Sequence, residues 1–338
     1  MPRAPQEVAR PPIKLSQNGA PEEEIVRMTT PSNPPQGEKR CVALEHFWGQ
    51  YRVWAETARK HQKVLDAWRI RVLLLGVAAA VISAFSDPRA LPWPEGWPTL
   101  GVPRSALGVA GGVLLGLTAF LTRELLGPER EGRWLRARAA AEAFKREGYL
   151  LAAGAPPYGG PVTRDLLERA RGILAGVGDL QEEAVAEEQR RKGMPPCPLS
   201  VDEYVKQRVD DQIRYYRRRA GEHGVVVGRV RWLTVVLGVG AFVLGALGGG
   251  VAGVWLVVIT TVTASLAAYL YANRLQYLIG SYTAAARNLD ALRVGWQTFG
   301  DEADDAERDR FILDCEAVLS AENQSWVAEW ARKESAKK

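Results

Sequence analysis

"WLTVVLGVGAFVLGALGGGVAGVWLVVITTVTASLAAYLYAN", residues 232–273, contains no Asp, Glu, Lys, Arg or His. A transmembrane helix takes roughly 20 apolar residues, so this run has the length of two spans and a tight turn. Gly248-Gly249-Gly250 supplies the turn, because glycine accepts the positive backbone angles of a short reversal. The spans are expected at about 232–248 and 251–272. Immediately before them "DDQIRYYRRRAGEHGVVVGRVRW", residues 210–232, carries six arginines and two tyrosines. Arginines there suit either nucleic acid or the membrane surface that a span has just left.

The first half of the chain repeats the plan less cleanly. "VLLLGVAAAVISAFS", residues 72–86, is uncharged but short for a bilayer core of roughly 30 Å at about 1.5 Å per residue. Arg69 and Arg71 can extend its reach by snorkelling to headgroups. A Pro- and Trp-rich turn follows, and "SALGVAGGVLLGLTAFLT", residues 105–122, is the returning span. These spans are expected at about 70–86 and 105–122. An offset of 162 residues places Gln50 on Gln212, Arg52 on Arg214, His61 on His223 and Leu75-Gly76 on Leu237-Gly238. Repetition of this kind indicates one unit used twice. The expected fold is an all-α membrane protein: two repeated helical hairpins, four transmembrane helices in all, with long amphipathic cytoplasmic helices.

Charge fixes the expected orientation. Residues 44–71 hold six basic and three acidic residues, and 123–138 hold five and three. The first hairpin turn carries two of each sign and the second none. The positive-inside bias therefore puts both turns outside and both termini in the cytoplasm. In this reading Arg69, Arg71, Arg217, Arg218, Arg229, Arg231 and Arg274 form a headgroup-facing collar that records topology. Nucleic acid is not an expected partner, since no recognition motif accompanies the arginines.

The rest divides into a Pro-rich tail over 1–40, expected to be disordered to about Lys39, a first unit over 41–160, linker helices over 161–199 and a second unit over 200–338. Ser200 and Glu203 form an expected capping box. Tyr204, Val205, Val209, Ile213 and Tyr216 recur at helical spacing. "DEADDAERD" reads as an acidic loop. Phe311, Leu319, Trp326 and Trp330 share a face of a C-terminal helix and are candidates for holding a partner. Three cysteines, Cys41, Cys197 and Cys315, are distant and odd in number, which argues against a disulfide framework and suits a reducing compartment.

Catalytic motifs are missing. The three histidines stand in no metal-ligand spacing, and neither a phosphate loop nor a dinucleotide fingerprint occurs. The chain reads as a non-enzyme without cofactor, catalytic residue or metal ligand. Gly112 and Gly116 form a small-xxx-small pair for helix packing. Thr118, Thr122, Thr260 and Thr263 are the candidate pore-lining residues, although such hydroxyls also bond to their own helix.

"YVKQRVDDQIRYYRRRAGEHGVVVGRVRWLTVVLG" and "RLQYLIGSYTAAARNLDAL" around the second hairpin resemble the SLATT domain, as does "RWLRARAAAEAFKREGYLLAAGAPPY" behind the first. The resemblance rests on Asp211-Gln212, Tyr215-Tyr216 and Ala220, and on Trp134, Arg138, Glu142, Lys145 and Glu147. It implies two tandem two-span domains in a bacterial inner membrane. It further implies a homo-oligomeric, pore-forming effector of antiphage or conflict defence, with membrane lipids and a separate nucleotide-signal sensor or synthase system as partners. The alternative function is a membrane-anchored scaffold that recruits a cytoplasmic partner through its stem and C-terminal helices.

Overall fold

The structure is a computed structural model. It describes residues 36–88, 90, 103–160 and 165–335, with side chains up to residue 321 in the last helix. Of the expected Pro-rich tail, 1–35 lies outside the described residues. Gln36–Lys39, expected to be disordered, is instead the first turn of a helix, α1 (Gln36–Ala84). There follow α2 (Arg104–Leu125), α3 (Pro128–Ala153), α4 (Asp165–Ala175) and α5 (Glu187–Arg191). A continuous rod is then built from α6 (Val201–Tyr204), a π-helical turn (Val205–Val209) and α7 (Asp210–Leu247). The chain ends with α8 (Gly250–Ala272), α9 (Leu275–Phe299), a 3-10 turn (Gly300–Glu302) and α10 (Asp305–Ser335). Among the described residues there is no strand, and four helical stretches are long and apolar enough to cross a membrane.

Local signals set the boundaries. Gly248 and Gly249, at φ 68° and 91°, make the reversal between α7 and α8. Ser200 Oγ accepts the Glu203 amide proton while Glu203 accepts that of Ser200, so both halves of the capping box are present. Gly154 closes α3 in the left-handed region. The "DEADDAERD" stretch is not a loop. Asp304 Oδ1 accepts the Glu307 amide proton at 2.8 Å and Glu307 accepts that of Asp304 at 3.2 Å, a second capping box that starts α10.

Two stems rise from the spans. In the first, α1 packs on α3 and buries Leu44, Phe47, Trp48, Trp54 and Phe144. In the second, α7 packs on α9 and buries Ile213, Tyr216, Tyr282 and Leu289. The predicted face Tyr204, Val205, Val209, Ile213 and Tyr216 is buried throughout. Within the spans α1 packs against α2 on one side and α8 on the other, while α7 packs on α8. By their principal contacts the four spans therefore form a row, α2–α1–α8–α7.

Glycine placement in α2 corrects the sequence expectation. Gly112 and Gly116 face open space. Gly111 lies against Ser83 of α1 and Gly108 against Ser86 just beyond its end, and Gly76 of α1 receives Thr118. The cysteine expectation is overturned too. Cys41 at the start of α1 and Cys197 before α6 are joined by a disulfide, their Cα atoms 5.6 Å apart, and only Cys315 is free. An odd count hid one pair and one buried thiol.

Candidate functional site

The two stems face each other across a cleft of about 650 Å³. That volume is within the range of small-molecule sites. Tyr51, Gln62, Asp66 and Arg69 of α1 line one wall, with Glu131, Trp134, Arg138, Glu142 and Lys145 of α3. Asp211, Gln212, Tyr215, Arg219 and His223 of α7 and Tyr282 of α9 line the other. The wall is thus mixed in charge and rich in aromatic rings. Eight residues carrying the SLATT resemblance lie on it: Asp211, Gln212, Tyr215, Tyr216, Trp134, Arg138, Glu142 and Lys145.

At the membrane end Arg69 closes the cleft. Its guanidinium donates to Asp66 Oδ1 at 3.4 Å and Asn273 Oδ1 at 3.2 Å, and stands 3.7 Å from Glu131. Arg69 joins the first stem to the foot of α8, and its side chain is only 15% exposed. It is thus a bridge between the halves as well as a member of the expected collar. Other collar residues are spent differently. Arg217 donates to Asp290 at 2.8 Å, Arg218 stands 3.8 Å from Glu222, and Arg71 lies over the Trp68 ring. Arg274 turns the chain from α8 into α9 with a positive φ of 49°.

A buried ion pair that sequence reading missed ties the π turn to α10. Arg208, 2% exposed, donates from Nε to Glu316 Oε1 at 2.8 Å and from Nη2 to Oε2 at 2.9 Å. Glu316, 0% exposed, also accepts the Tyr204 hydroxyl proton at 3.0 Å. The Arg208 guanidinium lies 4.7 Å from the centre of the Tyr149 ring. One fork thus clasps α3, the π turn and α10. Burial opposes the Arg208 charge, but the Glu316 carboxylate beside it holds the guanidinium more firmly protonated than usual. Burial likewise pushes the Glu142 carboxyl up, yet Lys145, Arg208 and Arg138 outweigh it and leave it below its ordinary value. The clue available from sequence was the step of four from Tyr204 to Arg208, which puts the arginine on the buried face.

His61 and His223, equivalent under the repeat, sit on opposite stems. His223 stacks on Tyr282 with ring centres 6.0 Å apart. Burial lowers the pKa of both; Arg133 adds to this at His61 and Arg219 at His223. Both imidazoles are therefore held neutral when folded, while the unfolded chain takes up protons near its ordinary pKa of about 6.5. Stability from this source is complete above about pH 6.5 and declines as pH falls through the lowered folded values. Thermal unfolding in detergent at about pH 7.5 and about 5.5 is expected to show the loss, and H61N/H223N to reduce it. An unchanged pH response in that variant would remove the histidines from the account.

The remaining candidates are placed as follows. Thr118 Oγ1 donates to Leu114 O, Thr122 to Thr118 O and Thr260 to Leu256 O, each within its own helix. Thr118 faces α1, whereas Thr122 and Thr260 are exposed on the spans; Thr263 is half-buried. Phe311 and Leu319 are buried in the core, with α10 packed on α3 and α9. The side chains of Trp326 and Trp330 lie outside the described residues. Burial pushes the Cys315 thiol up, and the neighbouring Glu316 adds to it. Among the described residues no three His, Cys, Asp or Glu converge as metal ligands would.

A stem, a charge-free hairpin and a returning stem, with its tyrosine face turned inward, is the arrangement that the second half presents. Residues 204–326 match the SLATT_1 family model. That family is described as the SMODS and SLOG-associating 2TM effector domain 1. The match begins at Tyr204, in the clasp, and takes in α7, α8, α9 and the Glu316 turn of α10. Residues 50–166 match a second family, described only as a protein of unknown function, DUF4231. Searches of curated proteins and of solved structures returned no match. The SLATT-like half thus supplies one wall of the cleft, and the DUF4231-like half supplies the other.

Proposed function

We propose that the chain is an oligomeric, membrane-perturbing effector that acts by opening the bilayer of the cell that makes it. The observation that carries this reading is the match of the second hairpin to a two-transmembrane effector domain. The row of spans supports it. A single α2–α1–α8–α7 row encloses nothing, so a conducting path takes several copies. The first hairpin is read as a diverged tandem copy, since α1–α2–α3 and α7–α8–α9 follow the same order. In this reading both stems and both termini lie on the cytoplasmic side of a bacterial inner membrane, an orientation that the charge asymmetry supports. Antiphage or conflict defence is the setting in which such an effector acts, with a separate nucleotide-signal sensor or synthase as its trigger. The scaffold alternative gains nothing from Phe311 and Leu319, which are covered by α3 and α9, and rests on Trp326 and Trp330.

The test is membrane potential, read with a potential-sensitive dye in cells induced to express the intact chain, beside ion leak from proteoliposomes of the purified protein. Depolarisation that precedes loss of viability is expected, and T260V/T263V is expected to change the leak without changing insertion. Intact potential and tight proteoliposomes, with the protein confirmed in both membranes, would overturn the reading.

A further inference from the structure

The first stem wears a strap. Residues 177–199 run antiparallel along α1, so that rising strap numbers meet falling helix numbers. The Glu183 amide donates to Thr57 Oγ1 at 3.0 Å, Arg52 Nε donates to Gln189 O at 3.1 Å, and Trp48 Nε1 donates to Lys192 O at 3.2 Å. The strap ends at Cys197, bonded to Cys41. From 181 to 193 it is largely exposed, with no fully buried side chain. Its middle is therefore held by polar contacts at the surface, each worth little against water. Segments with few buried apolar contacts open locally while the rest of a protein stays folded. The Cys41–Cys197 bond is the one fastening of a different order. Both cysteines are half-buried and Cys197 lies between the exposed Pro196 and Pro198, so a thiolate can approach. Cys315 is buried and takes no part.

We propose that Cys41 and Cys197 form a thiol–disulfide exchange site, opened by a dithiol reductant, whose state decides whether the strap stays fastened to α1. In opening, one thiolate of the dithiol attacks a sulfur of the pair, forms a mixed disulfide and displaces the other sulfur as thiolate. The second thiol of the reductant then resolves the mixed disulfide. Two electrons and two protons pass to Cys41 and Cys197, and the reductant leaves as its own disulfide. Closing is the reverse, with a small disulfide as oxidant. Stems on the cytoplasmic side would meet conditions that keep thiols reduced, so the closed form would report an oxidising episode. The site itself does not depend on what the spans do to a membrane.

Hydrogen exchange by mass spectrometry on the full chain in detergent tests this, with dithiothreitol as the reductant. Reduction is expected to raise exchange in 181–195 on the order of tenfold and to leave the amides around Arg208 and Glu316 as they were. C41S/C197S is expected to exchange fast in the strap with or without dithiothreitol, and C315S to behave as the parent. Three results would overturn the proposal. Cys41 and Cys197 could both remain open to alkylation in folded, oxidant-treated protein; strap exchange could ignore the reductant; or reduction could loosen both stems together, which would make the bond a staple of the whole fold.

Discussion

Glu316→Ala is expected to lower the stability of the stems by about 3–5 kcal/mol, the largest single effect available outside the membrane. The substitution leaves the Arg208 guanidinium buried with only the Tyr149 ring and the more distant Glu142 carboxylate to answer its charge. It also removes the acceptor of the Tyr204 hydroxyl proton. A charge stripped of its partner in a dry site costs far more than the intact pair contributes, because desolvation is then uncompensated. The double variant R208M/E316L replaces the pair with apolar groups of similar size and is expected to recover most of the loss. Thermal unfolding in detergent reads both. Hydrogen exchange should place the damage of E316A in α10 and the π turn before the spans respond. A loss within about 0.5 kcal/mol for E316A would mean that the fork is not the clasp described here.

Gly111→Leu is expected to pry α2 from α1. A Cβ at this position would overlap Ser83 Oγ and stand 3.0 Å from the Ser83 backbone nitrogen, which cannot move aside without moving the helix. Overpacking of this kind typically costs about 1–3 kcal/mol, and between spans no hydrophobic drive offsets it. Gly112→Leu, one residue on, faces open space and is expected to be silent. Cross-linking reads the difference. In a chain otherwise free of cysteine, S86C/G108C should bridge readily, since a Cβ at 108 stands 3.4 Å from that of Ser86. G111L should suppress that bridge and G112L should not. Equal cross-linking in the two backgrounds would refute the α1–α2 interface.

These two positions show where sequence reading succeeds and stops. The hairpins were legible because a run of about forty uncharged residues has few stable fates besides two spans. The Tyr204-to-Tyr216 face was legible because burial imposes a 3.6-residue period. The choice between Gly111 and Gly112 was not. Adjacent residues differ by about 100° around a helix, and a run such as "GVAGGVLLG" offers glycines on several faces. Only the partner helix selects among them. Arg208 and Glu316 were hidden for a related reason. Each sits in a charged stretch that reads as solvated, and their pairing joins positions 108 residues apart. The disulfide joins cysteines separated by 156 residues, with nothing local to mark either one. The cleft is the sum of such distant encounters. Its wall residues were partly named beforehand, but the Arg69–Asn273 contact at its membrane end was beyond any local pattern.

The π turn at Val205–Val209 has a consequence of its own. A π turn holds one residue more than the α-helical turn it replaces, so it takes up that residue between the capped start of the rod and its span. Deleting one residue there would let the rod continue as plain α-helix with the same length of hydrogen-bonded ladder. Everything beyond it would then keep nearly the same heading relative to Tyr204, because the π turn fits its extra residue into about the arc of an α-helical turn. The extra residue is thus absorbed within the turn that carries Arg208, and the capped start and the lipid-facing side of α7 stay in phase across it. The rod's gearing, as much as its composition, keeps the clasp in step with the membrane-spanning part of α7.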